Sequence, residues 1–356
     1  MVGRLLKIGL LLAVACLAGC REAGDKPYHE EAYVFGTLVS FDIVGVPESQ
    51  ARKAVRDVSA EFQHMHKDWH AWKEGELTEV NQALARGESI EVSDFVLPML
   101  KQAKELYHRS DGYFNPAIGA IIGAWGFHSD ELPKGAMPSL AHIAELAARA
   151  PSMDDVTING RKVSSTNTAV QFDFGGFGKG AALDRAEEVL VKHGVRNAIV
   201  NAGGDLNTLG HPAERPWKIA IRDPVKWGVI AYVELEDGED VYTSGNYERY
   251  YEHEGVKYSH IINPKTGMPV GNIISSTVVH KGGLVADAAA TALTVSGPDG
   301  WYDVARKMGI KYVLLIDDKG TVYMNPEMQK RVRFVEKEPT HVVLSKPLIA
   351  MASEGL

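Results

Sequence analysis

Phe172-Asp173-Phe174-Gly175-Gly176-Phe177-Gly178-Lys179-Gly180-Ala181-Ala182-Leu183-Asp184 is the stretch on which the fold turns. Apolar residues at 170, 172 and 174 lead into three closely spaced glycines and Lys179. Leu183, Ala186, Val189 and Leu190 then recur at helical spacing, and Gly194 is placed to close the helix. The pattern predicts a strand that ends in glycines and opens a helix. Such a start presents unpaired backbone N–H groups and a positive dipole end, which suit an anion, phosphate above all. Lys179 in the first turn adds a charge that reaches a phosphate oxygen. The same glycines equally serve a bare strand-to-helix turn. A P-loop is excluded, because Asp173 and Gly180 stand where that motif needs Gly and Ser or Thr, and no dinucleotide fingerprint fits well.

Upstream, residues 33–43 alternate like a strand interrupted by Gly36, a glycine that suits a bulge or a close ligand approach. Ala51, Val55, Val58, Phe62 and Met65 mark a helix. Ser93 caps another, and residues 110–116 form a turn cluster. Residues 157–163 and 169–174 read as strands around a turn. Downstream come strands over 198–201, 217–222, 229–235, 240–243 and 273–280, with a hairpin pair over 247–262. Helices follow around Asp287 and over 299–308, then a hairpin over 311–324. This mixed order with many adjacent hairpins predicts an α+β fold of largely antiparallel, mixed sheets with packed helices, in two intimately joined lobes.

The chain has 356 residues and a formal charge of −8. Arg4 and Lys7 precede an apolar run over 8–18, the form of a signal peptide and too short to span a bilayer. The run ends Leu17-Ala18-Gly19-Cys20, which resembles the bacterial lipoprotein processing site. The expected plan is a signal peptide over 1–19, a lipidated Cys20 and tether over 20–31, one domain over 32–337 and a tail over 338–356. Such a protein is exported, anchored to a membrane (the inner one favoured) and faces the periplasm. Cys16 leaves with the leader, which excludes disulfides, thiolate catalysis and cysteine-ligated metals. The exported chain, with a charge of about −10, has no basic run for nucleic acid.

Asp287 and Thr291 stand four apart on one helix face and offer two oxygens to a hard cation such as magnesium; the alternative is a helix cap with a back-bonded threonine. His66 and His70 share a face, but no third ligand stands at a zinc spacing. Trp69 and Trp72 are flat apolar surfaces for a planar ligand or for the core. A phosphate-friendly turn, a hard-cation pair and aromatics together suit a dinucleotide with a metal on its pyrophosphate.

The chain resembles the FAD:protein FMN transferases, the ApbE-like flavin transferases. The resemblance rests on Phe35-Gly36-Thr37, residues 76–81, Asp111-Gly112-Tyr113-Phe114-Asn115-Pro116, Trp125-Gly126-Phe127, residues 173–180, Gly203-Gly204-Asp205, Thr243-Ser244-Gly245-Asn246-Tyr247, the 260–269 loop, and Asp287 with Thr291. It implies that FAD is the substrate and is cleaved at its pyrophosphate. FMN then passes to a Ser or Thr hydroxyl of an acceptor flavoprotein subunit of a membrane redox complex, releasing AMP. By position, Asp287, Thr291 and the carbonyl of Gly176 match magnesium ligands. Asp173 and Lys179 match FAD contacts, and Phe35, Tyr113, Phe114, Asn115 and Ile261 match cofactor-binding positions. The family commonly has Met at the place of Phe35 and Ala at those of Gly176 and Gly178. The segment before Glu76 is about one residue short, so the flavin-stacking aromatic is Trp72, with Trp69 as the alternative.

The implied chemistry is phosphoryl transfer by positioning and charge neutralisation, with catalytic roles for Lys179, Asp287 and His260. His260 is the candidate base for the acceptor hydroxyl, and a structural hydrogen bond ordering its loop is the alternative. Two rival functions share the same motifs: a magnesium-dependent FAD pyrophosphatase and a non-catalytic FAD-binding lipoprotein.

Overall fold

The computed structural model describes residues 26–348, apart from 130, 213–214 and 336–337. The leader and Cys20 lie outside the described residues. The chain opens with a hairpin of β1 (Tyr28–Val34) and β2 (Thr37–Val44). Helices α1 (Glu48–Asp68) and α2 (Glu76–Ala85), strand β3 (Ile90–Glu91), and helices α3 (Leu97–Arg109), α4 (Gly119–Ala124) and α5 (Leu140–Ala148) follow. A second hairpin, β4 (Val156–Asn159) and β5 (Lys162–Ser165), precedes α6 (Gly178–Lys192). Next come β6 (Asn197–Ala202), β7 (Asp205–Leu209), β8 (Trp217–Arg222), β9 (Val229–Leu235), β10 (Asp240–Gly245), β11 (Tyr250–His253), β12 (Val256–Ser259) and β13 (Ile273–His280). The long helix α7 (Gly283–Met308) leads to β14 (Tyr312–Asp317), β15 (Val322–Met324), α8 (Pro326–Arg331), β16 (Arg333–Phe334) and β17 (Val342–Leu344).

The order β1-β2-β6-β7-β10-β13-β14-β15-β17 makes one sheet, antiparallel except for its last pair. Alternation along its central strands fills two cores. Val278, Val313 and Leu315 join the cluster that contains Ala286, Leu293 and Val304 of α7. Val279, Leu314 and Ile316, one residue along, pack with Ile219, Ile221 and Val233 of the small sheet β16-β9-β8. The fold is therefore α+β, as the order of elements predicts.

Local differences have physical causes. Residues 33–43 are a hairpin rather than one strand: Val34 pairs with Thr37, and Phe35-Gly36 is a two-residue turn. Both central residues have positive φ, 55° and 73°, the geometry for which Asn-Gly is usual; a Phe there is strained. Residues 169–174 carry a strand's alternation but lie outside every sheet. Their backbone pairs with the loop over 115–119 and with Asn81, whose amide donates to the Phe172 carbonyl (2.9 Å) and accepts from its N–H (2.6 Å). Helix α7 breaks at Gly297 (φ 71°) and Pro298, giving the two helical segments expected there. Beyond residue 337, β17 pairs with β15, and Leu348 is buried. Among the described residues, no helix is long and apolar enough to cross a membrane.

Candidate active site

Helices α6 and α7 begin side by side, and each caps the other. The Gly180 N–H donates to Asp287 Oδ2 (2.9 Å), while the N–H groups of Gly283 and Leu284 donate to Asp184 (2.6 and 2.9 Å). Contact is backbone to backbone: a Cβ on Gly180 would lie 2.2 Å from the Gly283 carbonyl oxygen. This corrects one expectation. The N–H groups of the glycine-rich turn are not all open to an anion, because Asp287 takes that of Gly180 and Phe174 O takes that of Gly178.

Lys179 pairs with Asp205, whose other oxygen accepts from the Thr243 N–H (2.9 Å). Burial works against the ammonium, but Asp205, Asp287 and Glu248 outweigh it and hold the pKa of Lys179 well above its usual value. The carboxylates pay the reverse effect. Burial, then Asp205, push Asp287 up against the pull of Lys179 and the Gly180 N–H. Glu248 is exposed as a residue, yet desolvation by the surrounding protein pushes its pKa up to about 7, with Lys179 opposing and Asp205 adding to the rise. One carboxylate thus pairs with the ammonium and two more act on it through space, a local deficit of positive charge.

A set of oxygens adjoins this deficit. Thr291, one turn after Asp287, donates to the Gly176 carbonyl (3.4 Å), and Ser244 Oγ lies 3.3 Å from its hydroxyl. Among the described residues no group of three or more His, Cys, Asp or Glu forms a metal site. The set is instead one carboxylate with hydroxyl and carbonyl oxygens. That chemistry fits magnesium, which binds few protein groups and takes the rest from phosphates and water.

Asp173 accepts from Gly175 N–H (2.7 Å) and pairs with His128 Nε2 (2.9 Å). Burial opposes ionisation of Asp173, but His128 and the Gly175 N–H hold its pKa below the usual value. The His128 ring stacks on Trp72, with centroids 4.9 Å apart and planes 16° apart, and His70 stands edge-on to Trp72 at 4.2 Å. Trp69 instead stacks on Phe95 at the core. Phe35 sets its edge against Phe62 and His66. Phe114 is buried behind Gly176 and against Phe177. Tyr113 packs with Ile261, Val270 and Val295, under the Lys265 ammonium. The Asn115 amide is engaged at both ends, by Pro151 O and Ala117 N–H. Ile261 is buried, with its N–H on Ser259 Oγ and its carbonyl on Val270 N–H. Asn115 and Ile261 therefore hold their own loops.

His260 Nδ1 lies 3.0 Å from the Arg249 carbonyl. A carbonyl only accepts, so Nδ1 carries the hydrogen and Nε2 is the lone-pair nitrogen. Burial pushes the pKa down to about 4, with Arg249 and Lys179 acting in the same direction, so the ring is neutral near pH 7. The loop-ordering bond is present, and it leaves Nε2 able to accept a proton.

The structure thus joins Lys179, Asp287, Thr291 and Gly176 in one cluster and links Trp72 to Asp173. Asp205, Ser244, Glu248 and His128 were assigned no role from sequence. The signals were an acid after Gly203-Gly204, a histidine after Trp125-Gly126-Phe127, and the Thr243-Ser244-Gly245-Asn246-Tyr247 run that holds Ser244 and leads into Glu248. Two surface hollows of about 490 and 540 Å³, bordered by residues such as Asp57 and His193 or Glu74 and Glu79, include none of this machinery.

The ApbE family model matches residues 35–314. The chain is 47% identical over 334 residues to a Rhodobacter capsulatus protein named FAD:protein FMN transferase, covering 94% of this chain and spanning 63% of that protein's length. A Vibrio cholerae protein of the same name is 28% identical over 313 residues, covering 86% of this chain and 92% of its own. Among solved structures, the ApbE protein of Thermotoga maritima matches with a TM-score of 0.78 at 28% identity, over 86% of this chain and all of that one. Flavin transferase ApbE from Vibrio cholerae matches at 0.75 and 26%, over 86% and 99%.

Proposed function

The chain belongs to the ApbE family, and from that premise we propose that it transfers the FMN part of FAD to a Ser or Thr hydroxyl of an acceptor protein, releasing AMP. The observation that carries this reading is the mutual capping of α6 and α7, which brings an ammonium, a carboxylate and a set of neutral oxygens to one place. Asp287, Thr291 and the Gly176 carbonyl would hold magnesium, which when bound neutralises charge on the diphosphate and on departing AMP. Lys179 would grip the FMN phosphate, and Trp72 would stack on the flavin. The acceptor oxygen attacks the FMN phosphorus, the P–O bond to AMP breaks, and the hydroxyl proton passes to His260 Nε2. The acceptor we propose is a flavoprotein subunit of a membrane redox complex. Lipidation of Cys20 and a periplasm-facing position belong to the same proposal, resting on Leu17-Ala18-Gly19-Cys20.

The test mixes the protein with FAD, magnesium and an acceptor and looks for flavin fluorescence on a denaturing gel. Transfer is expected, and Asp287→Ala is expected to abolish it. Wild-type transfer by that variant would overturn the metal assignment. Rapid release of FMN and AMP from FAD, without any labelled acceptor, would make the protein a pyrophosphatase.

A further inference from the structure

We infer that the β8–β9 turn, residues 223–228, is where the acceptor protein docks, gripping the polypeptide beside its hydroxyl-bearing residue; this rests on the transferase reading above. Trp227 is 92% exposed and Val225 77%, and Trp227 is the most exposed large apolar side chain among the described residues. Their turn is closed. Asp223 Oδ1 accepts from the N–H groups of Val225 (2.9 Å) and Lys226 (3.0 Å), and the Asp223 N–H donates to the Gly228 carbonyl (3.0 Å). Two apolar side chains are therefore held in water by an ordered loop, which lowers the entropy cost of a partner settling on them.

The turn is tied to the candidate active site. The Arg222 guanidinium lies 5.4 Å from the Trp227 ring centroid and 4.9 Å from that of Tyr247. Tyr247 precedes Glu248, whose carboxylate lies in the fields of Lys179, Asp205 and Arg222. Ring contacts thus run from the exposed indole through Arg222 to Tyr247, the chain neighbour of Glu248, just past the strand end that carries Ser244 beside Thr291. A polypeptide that delivers a hydroxyl there has flanking residues with nowhere to lie but the rim. Trp and Arg are the side chains that anchor protein interfaces most strongly. The matching segment carries an apolar side chain for Trp227 and a carboxylate or carbonyl for Arg222. A membrane is the weaker occupant, because Arg222 lies over both the Trp227 and Tyr247 rings, and Tyr247 adjoins Glu248 at the candidate site.

The test uses the full chain with Val225→Ser and Trp227→Ser together. KM for a purified acceptor flavoprotein subunit is expected to rise at least tenfold. FAD affinity, and any slow FMN release without acceptor, should stay within twofold. Tyr33→Ser, an exposed aromatic on β1, is the control and should leave KM unchanged. An unchanged acceptor KM in the double variant overturns the inference. Unchanged KM with lost binding to anionic vesicles would assign the turn to a membrane instead. If the wild-type protein binds FAD but labels no acceptor, the transferase reading itself falls, which the variant comparison cannot mimic.

Discussion

His260 shows how one residue's surroundings set both stability and chemistry. Its pKa of about 4 in the fold lies below the 6.5 of a free histidine, so between those values the unfolded chain holds a proton that the folded chain lacks. This contribution is present in full above pH 6.5 and is lost as pH falls toward 4, by up to about 3 kcal/mol. Urea unfolding at pH 7, 5.5 and 4.5 should show this slope, and His260→Gln should flatten it. A diphosphate placed near the ring adds negative charge that favours the imidazolium, moving the base toward working pH. NMR titration with saturating FAD should therefore give a higher pKa than titration without it. His128 is the second informative residue, since it stacks on Trp72 while pairing with Asp173. His128→Ala removes the ring behind the indole and leaves a buried carboxylate unpaired. FAD binding, read by fluorescence quenching, should weaken about tenfold, or about 1.4 kcal/mol. His128→Phe, which keeps the stack alone, should fall between.

At the scale of elements, the segment over 169–174 is the clearest case of a pattern that reports burial without reporting pairing. Val170, Phe172 and Phe174 alternate inward as in a strand, but the hydrogen bonds come from the loop over 115–119 and, at Phe172, from Asn81 on α2. Asn81→Leu strands a buried N–H and a buried carbonyl at once, each costing about 1–3 kcal/mol. A fall in melting temperature of several degrees is expected, and an unchanged value would mean that water replaces the amide. The same limit explains what sequence left unseen in the site. Asp287 and Thr291 were legible because helix periodicity fixes which side chains share a face. Asp205 was not, because its bond to Lys179 spans 26 residues and depends on how β7 is laid beside α6. Nor was His128, bonded to Asp173 across 45 residues. The hairpin turn at Phe35-Gly36 stayed hidden because its first residue is a Phe, where turn chemistry favours Asn.

For the whole molecule, the large sheet is covered on both sides, and the site lies where α6 and α7 start above it. Because the oxygen set holds one carboxylate, occupancy by metal and by nucleotide should be linked through the global fold. Magnesium alone should raise the melting temperature little, FAD alone moderately, and the two together by more than their sum. Thermal scans with each ligand check this directly. A full shift with magnesium alone would mean that the protein completes the coordination by itself.

The glycine contact between α6 and α7 has a last consequence. A Cβ on Gly180 would meet the Gly283 carbonyl oxygen at 2.2 Å, so the spacing of these helix starts is set by main chain against main chain, while the buried Tyr242 hydroxyl fills the space on the other side of Gly283. Were Asp287, Thr291 and the Gly176 carbonyl to hold magnesium as proposed, the fixed spacing of the two helix starts would act on them as a gauge with fixed jaws, sorting ions by radius. Calcium, with bonds roughly 0.3–0.5 Å longer than those of magnesium and an appetite for more ligands, would have to spread jaws that do not yield. It should therefore occupy the gauge poorly and support little turnover even in excess.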